Sequence, residues 1–191
     1  MEQNKEMTAQ ESLRLITETM NNNRREIVRY SGKYFILWGI LLTVTSLAIY
    51  LLWHFTGKPQ WNFLWFVMPI IGYPLAAFLG KYEGTLPRNE VSKMMSGVWS
   101  VFGTFAIALS AIAIFLVPMN VSLIIVIIMG LAGCMSGVLL KNWPVIICGF
   151  LLGIGGAVFA MLVKSDAQLL IFTLGGIFLI ATGLFMKLQN K

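Results

Sequence analysis

The pattern of this 191-residue sequence predicts an all-α fold: a polytopic transmembrane helical bundle of about six spans, both termini cytoplasmic, with an amphipathic cytoplasmic helix at the N-terminus. Three observations predict it. Hydrophobic residues make up 58% of the chain against 12% charged, with a mean hydropathy of +0.79; soluble domains carry about 25% charged residues and need them to cover their surface. Six apolar stretches recur, each close to the twenty or so residues that cross about 30 Å of hydrocarbon. Lys and Arg gather on alternate connections.

The first element is the segment 1–33. Thr8-Ala9-Gln10-Glu11 has the form of a capping box. From there Leu13, Ile16, Met20, Asn23, Ile27, Tyr30 and Tyr34 recur at steps of three and four, without Pro or Gly until Gly32. Two uses fit such a stripe: pairing with a second copy or a cytoplasmic partner, or lying at the headgroups with Arg24, Arg25, Arg29 and Lys33 on anionic lipid. The second is the stronger expectation, because Asn21-Asn22-Asn23 favours helix poorly and Tyr is an awkward coiled-coil core residue. The acid-containing polar start has no apolar h-region, so no cleavable signal peptide is expected.

The transmembrane domain is expected over 34–187, with spans near 34–55, 62–80, 95–117, 121–140, 143–163 and 167–186, and a short tail at 188–191. Backbone groups in lipid must be satisfied within the segment, which selects helices, and the alternating ten-residue pattern of a barrel does not occur. With the N-terminus inside, the inner flanks hold Lys5, Arg14, Arg24, Arg25, Arg29, Lys33, Lys81, Arg88, Lys93, Lys141, Lys187 and Lys191, and the outer flanks only Lys58 and Lys164. Trp53, Trp61 and Trp65 fall at the outer interface; Tyr30, Tyr34, Tyr82, Trp99 and Trp143 fall at the inner one. Tight turns are expected at 118–120, 141–142 and 164–166, making two antiparallel hairpins with neighbours packed in chain order. Pro87 should end any extension of the second span, and Asn89 could cap the third.

Net charge of +6 would suggest nucleic acid in a soluble protein; here it is explained by the flanks of the spans, and no nucleic-acid partner is expected. Gln10-Glu11-Ser12-Leu13, Leu37-Trp38-Gly39, Tyr50-Leu51-Leu52 and Pro69-Ile70-Ile71-Gly72 resemble a group of small, uncharacterised bacterial multi-pass membrane proteins over roughly residues 9–82. The resemblance implies a bacterial cytoplasmic (inner) membrane and carries no activity.

The spans hold little chemistry. Every acid, from Glu2 to Asp166, falls outside them, which removes the membrane carboxylate a proton-coupled carrier uses. His54 sits at the outer end of the first span, where it could sense pH but reads better as an interfacial residue beside Trp53. Cys134 and Cys148 should share a depth on adjacent helices; two thiols without a third ligand are weak for a metal, and no cofactor is expected. Pro69, Gly72 and Pro74 mark the second span as a candidate broken helix of the kind that exposes carbonyls to a substrate. Gly133 and Gly137, with Gly149, Gly153 and Ala157, have the four-residue spacing that lets helices approach closely; Gly175, Gly176 and Gly183 add to the supply, and Thr43, Thr45 and Ser46 form a mild polar patch.

Three functions are weighed on this basis. The leading one is a non-enzymatic accessory or regulatory membrane protein acting through helix packing and its N-terminal helix, either as a homodimer or on a cytoplasmic protein. The alternative is a small transporter or channel for a neutral or apolar solute using the second span. An enzyme would need a polar site, and only the loop around Lys81, Tyr82, Glu83, Arg88 and Glu90 could supply one.

Overall fold

The computed structural model describes residues 9–81, 90–117 and 119–188, and among them it is helical without strands. Thr8 and Asn89, expected as caps, lie outside the described residues. The first helix, α1, runs from Ala9 to Thr56 as one element of 48 residues. It passes through Gly32, the boundary expected between the N-terminal segment and the first span. A 3-10 stretch, Pro59–Phe66, leads into α2 (Val67–Lys81); α3 (Glu90–Phe115) and α4 (Val121–Leu140) follow. The fifth span is α5 (Trp143–Phe150), a π-helical turn at Leu151–Gly155, and α6 (Gly156–Leu162); α7 (Leu169–Leu188) ends the fold. Among the described residues six helices are long and apolar enough to cross a membrane: Ser31–Thr56, Pro59–Lys81, Lys93–Ala113, Val121–Leu140, Trp143–Leu162 and Leu169–Leu188.

Local chemistry explains the turns. Asn120 accepts a hydrogen bond from the Leu123 N–H at 3.1 Å and caps α4. At the other end Lys141 takes the left-handed conformation (φ 48°), and its N–H and that of Asn142 close onto the carbonyls of Gly137 and Val138. Between α6 and α7 the connection is longer than expected, residues 163–168. The buried Gln168 shapes it, donating from Nε2 to the Ala160 carbonyl at 2.7 Å and satisfying one of the last acceptors of α6.

The packing departs from chain order. α3 lies on α4, and α4 on α5, as consecutive hairpins should, but α7 makes its main contact with α1 rather than with α6. The reason is a pair of glycines seven residues apart on each helix. A Cβ on Gly39 would stand 2.7 Å from the Gly176 carbonyl oxygen, and one on Gly32 would stand 2.8 Å from that of Gly183. Only bare backbone permits this approach, which in lipid gains dispersion contacts that no hydrophobic effect between helices supplies. The core therefore gathers on α7, with Leu42, Ile49, Val126, Met129, Ala160, Leu169 and Phe172 buried together and Phe35, Leu140, Val145 and Met186 closing one end. Half of the α7 span is buried, against 6% of the second span and 0% of the third. The second and third spans are the periphery.

Candidate functional site

In the second span α2 is continuous through Pro69, Gly72 and Pro74. Pro69 is the third residue of α2, where a backbone N–H would have no partner within that helix, so the ring removes nothing. Pro74 is inside the helix and exposed on its surface, freeing the carbonyl one turn earlier. Gly72 is buried, and no opening forms there: a Cβ would meet the Trp38 ring at 2.6 Å and Leu41 Cδ1 at 3.1 Å. Trp38 in turn meets Tyr73 edge-on with ring centroids 5.6 Å apart. The irregular backbone of this span lies earlier, in the 3-10 stretch from Pro59.

The second group of candidates, Gly133, Gly137, Gly149, Gly153 and Ala157, falls on the α4–α5/α6 hairpin. A Cβ on Gly133 would be 3.3 Å from Gly149 Cα, and one on Gly137 would strike the Ile146 N at 2.6 Å. Gly153 lies against Gly130, and Ala157 is half-buried against the core. Gly130, which the four-residue spacing did not single out, belongs to this seam: its own Cβ would stand 2.8 Å from the Gly149 carbonyl. The π turn begins beside this contact.

Of the N-terminal candidates, Leu13 is exposed (64%) and Lys33 is half-buried at the level where the bundle begins. Ile16, Met20, Arg24, Arg25, Ile27 and Arg29 belong to the helical backbone of α1, and their side chains fall outside the described residues.

Several polar groups inside the bundle are occupied by one another, whereas the buried Asn142 Oδ1 has no hydrogen-bond partner among the described residues. Ser46 and Thr173 share a buried hydrogen bond of 2.9 Å between α1 and α7. Trp99 Nε1–H donates to Ser136 Oγ at 3.1 Å, joining α3 to α4. The two cysteines are free thiols with different partners: Cys134 Sγ donates to the Ile146 carbonyl at 3.6 Å, and Cys148 Sγ accepts from Thr182 at 3.5 Å. Among the described residues no three His, Cys, Asp or Glu side chains gather as a metal site would require. A central cavity of about 20 Å³, bordered by Phe35, Trp99, Met129, Gly133, Cys148 and Thr182, has room for one water and little else.

One side-chain pair was not legible in the chain. His54 Nδ1 lies 2.9 Å from Asp166 Oδ2, and Tyr50 stacks on the imidazole with centroids 5.5 Å apart. The hydrogen bond from His54 holds the Asp166 carboxyl below the usual carboxylate range. A sequence signal existed for the glycines, since Gly32 and Gly39 match Gly176 and Gly183 in spacing; nothing local ties residue 54 to residue 166.

Comparison with protein-family models, with curated proteins and with solved structures gives no match.

Proposed function

We propose that this chain is a non-enzymatic accessory or regulatory protein of a bacterial cytoplasmic membrane, in which a rigid bundle holds one long helix that reaches into the cytoplasm. The observation that carries the reading is the continuity of α1. At 1.5 Å per residue its 48 residues extend about 72 Å, against about 30 Å of hydrocarbon. Residues 9–30 therefore continue beyond the span that starts at Ser31.

An unbroken continuation of a spanning helix leaves the headgroup plane, so a projecting stalk fits better than a helix lying on lipid. The basic residues nearest the bundle, Arg24, Arg25, Arg29 and Lys33, would then meet anionic headgroups along a short collar. The apolar stripe beyond them would be offered to a partner helix, either a second copy or a cytoplasmic protein. Seven-residue steps back from Tyr34 give Ile27, Met20 and Leu13, so by register the stripe runs along one side of the helix. The Lys and Arg distribution supports cytoplasmic termini, and the resemblance over residues 9–82 supports the bacterial setting.

The packed interior supports this reading over transport. A solute pathway needs a wet passage or a broken helix at its site, whereas the cavity has room for about one water and α2 is continuous through Pro69, Gly72 and Pro74. The test is a chain lacking residues 9–30, expressed in membranes beside the full chain and compared by cross-linking for self-association and captured proteins. The shortened chain should insert and lose its cross-linked species. An unchanged set of species would overturn the proposal.

A further inference from the structure

The α1–α7 seam is a ladder of paired contacts. Moving along α1 from the N-terminal extension, Gly32 meets Gly183, Gly39 meets Gly176, Ser46 meets Thr173, and His54 meets Asp166. The last rung differs in kind. The others are buried, while the His54 and Asp166 side chains keep 54% and 24% of their surface, at the end of the span that closes at Thr56. An ionised carboxylate only accepts, so His54 Nδ1 carries the proton in this bond and Nε2 remains free to bind or release one.

We propose that His54 and Asp166 form a proton-sensitive latch that fastens the end of α1 remote from the N-terminal extension to the turn between α6 and α7. The latch is tight when the imidazole is a cation facing the carboxylate and looser when the imidazole is neutral. Charge-assisted hydrogen bonds are roughly twice as strong as neutral ones, and histidine ordinarily titrates near pH 6.5. Asp166 stays ionised across that range because its hydrogen bond with His54 favours the charged form.

The other ionisable groups at this end are few. Tyr50 stacks on the imidazole from α1, Lys58 follows the end of α1, and Lys164 lies two residues before Asp166 in the turn. The 3-10 stretch Pro59–Phe66 and residues 116–120 contribute none. Tyr and Lys side chains ordinarily change charge near pH 10, and histidine near pH 6.5. Gln168 ties the turn to α6 separately, and the Asp166 carboxylate also accepts from the backbone N–H of Ala167 within the turn. The pair governs whether α1 is attached to it.

The test uses the full chain in detergent micelles. The Tm at pH 5.5 should exceed that at pH 8.0 by about 1 °C, the size expected of a partly exposed pair. Most of that difference should vanish in both His54→Gln and Asp166→Asn. Spin labels at Phe55→Cys and Ser165→Cys, with Cys134 and Cys148 replaced by Ala, should report a distance distribution that broadens on raising the pH. The same labels in Asp166→Asn should give one distribution at both values. Either variant retaining the wild-type Tm difference, or a label distance indifferent to pH in the wild type, overturns the latch.

Discussion

The α1–α7 seam and the peripheral helices α2 and α3 are built from similar residues and use them differently. Glycine shows it most clearly. On the seam, Gly39 and Gly176 bring backbone against backbone, and a Cβ on either would meet the other's carbonyl oxygen at 2.7 Å. On α3, a Cβ on Gly97 would meet nothing within 4 Å, and none of the span's apolar window is buried. Water would force α3 to cover itself, as exposed Val101, Phe105 and Ile107 would be costly there. A lipid surrounding would remove that demand. What distinguishes core from periphery in this molecule is closeness of approach rather than hydrophobicity.

The largest expected effect tests that distinction with one substitution at two sites. Gly176→Ala places a methyl group against Thr43 Oγ1, with the Thr43 amide at 2.8 Å, and both helices must part to admit it. The expected loss is about 1–3 kcal/mol, the range for overpacking a close-packed core. Gly97→Ala should instead be neutral or stabilise by up to about 1 kcal/mol through helix propensity. Unfolding titrations in mixed micelles with increasing SDS measure both. Equal costs at the two positions would erase the proposed difference between seam and periphery.

Much of the fold was legible because hydropathy and charge act locally. The six spans fall close to their expected positions, and the Gly133–Gly137 and Gly149–Gly153 pairs are read off a single hairpin whose turn, Lys141-Asn142, sets the register. The α1–α7 seam was harder. Its glycines recur every seven residues rather than every four, and their partners lie more than a hundred residues away. Gly32 reads in the chain as the point where the N-terminal stripe meets the first span; α1 runs unbroken through it, and the residue is small because Gly183 is there. The prolines of the second span differ in position. Pro69 stands in the first turn of α2, where it is harmless, and the irregular backbone is set earlier by Pro59. The π turn at Leu151–Gly155 had no sequence signal beyond an abundance of glycine. His54 was singled out alone, because its partner Asp166 is supplied by topology.

A smaller effect sharpens the view of how the seam continues once glycine gives way to hydroxyls. Ser46 and Thr173 are fully or nearly buried and share the one bond between them, while each also has a backbone carbonyl within reach, Thr43 at 3.2 Å and Leu169 at 3.4 Å. Those local alternatives limit what the interhelical bond adds. A double-mutant cycle of Ser46→Ala and Thr173→Ala should give a coupling near 0.6 kcal/mol and no more than about 1.7 kcal/mol, the range for such bonds between membrane helices. A coupling as large as the Gly176→Ala loss would mean that the seam is held by polar contacts, with the glycines merely tolerated.

The smallest effect lies at the exposed end of the seam. Asp166 has a folded-state pKa below its ordinary value, so it binds protons less readily in the folded chain than in the unfolded one. Its stabilising contribution is therefore fully present above the unfolded carboxylate value, about pH 3.9, and is lost as the pH falls through the lower folded value. A wild-type chain should exceed Asp166→Asn in Tm at pH 5 and converge with it towards pH 2. Because both partners are partly exposed and screened, the gap should be smaller than either effect above and should shrink in high salt. A gap that persists unchanged at the lowest pH would show that Asp166 acts through its shape in the turn. The last rung would then be no different in kind from the buried ones.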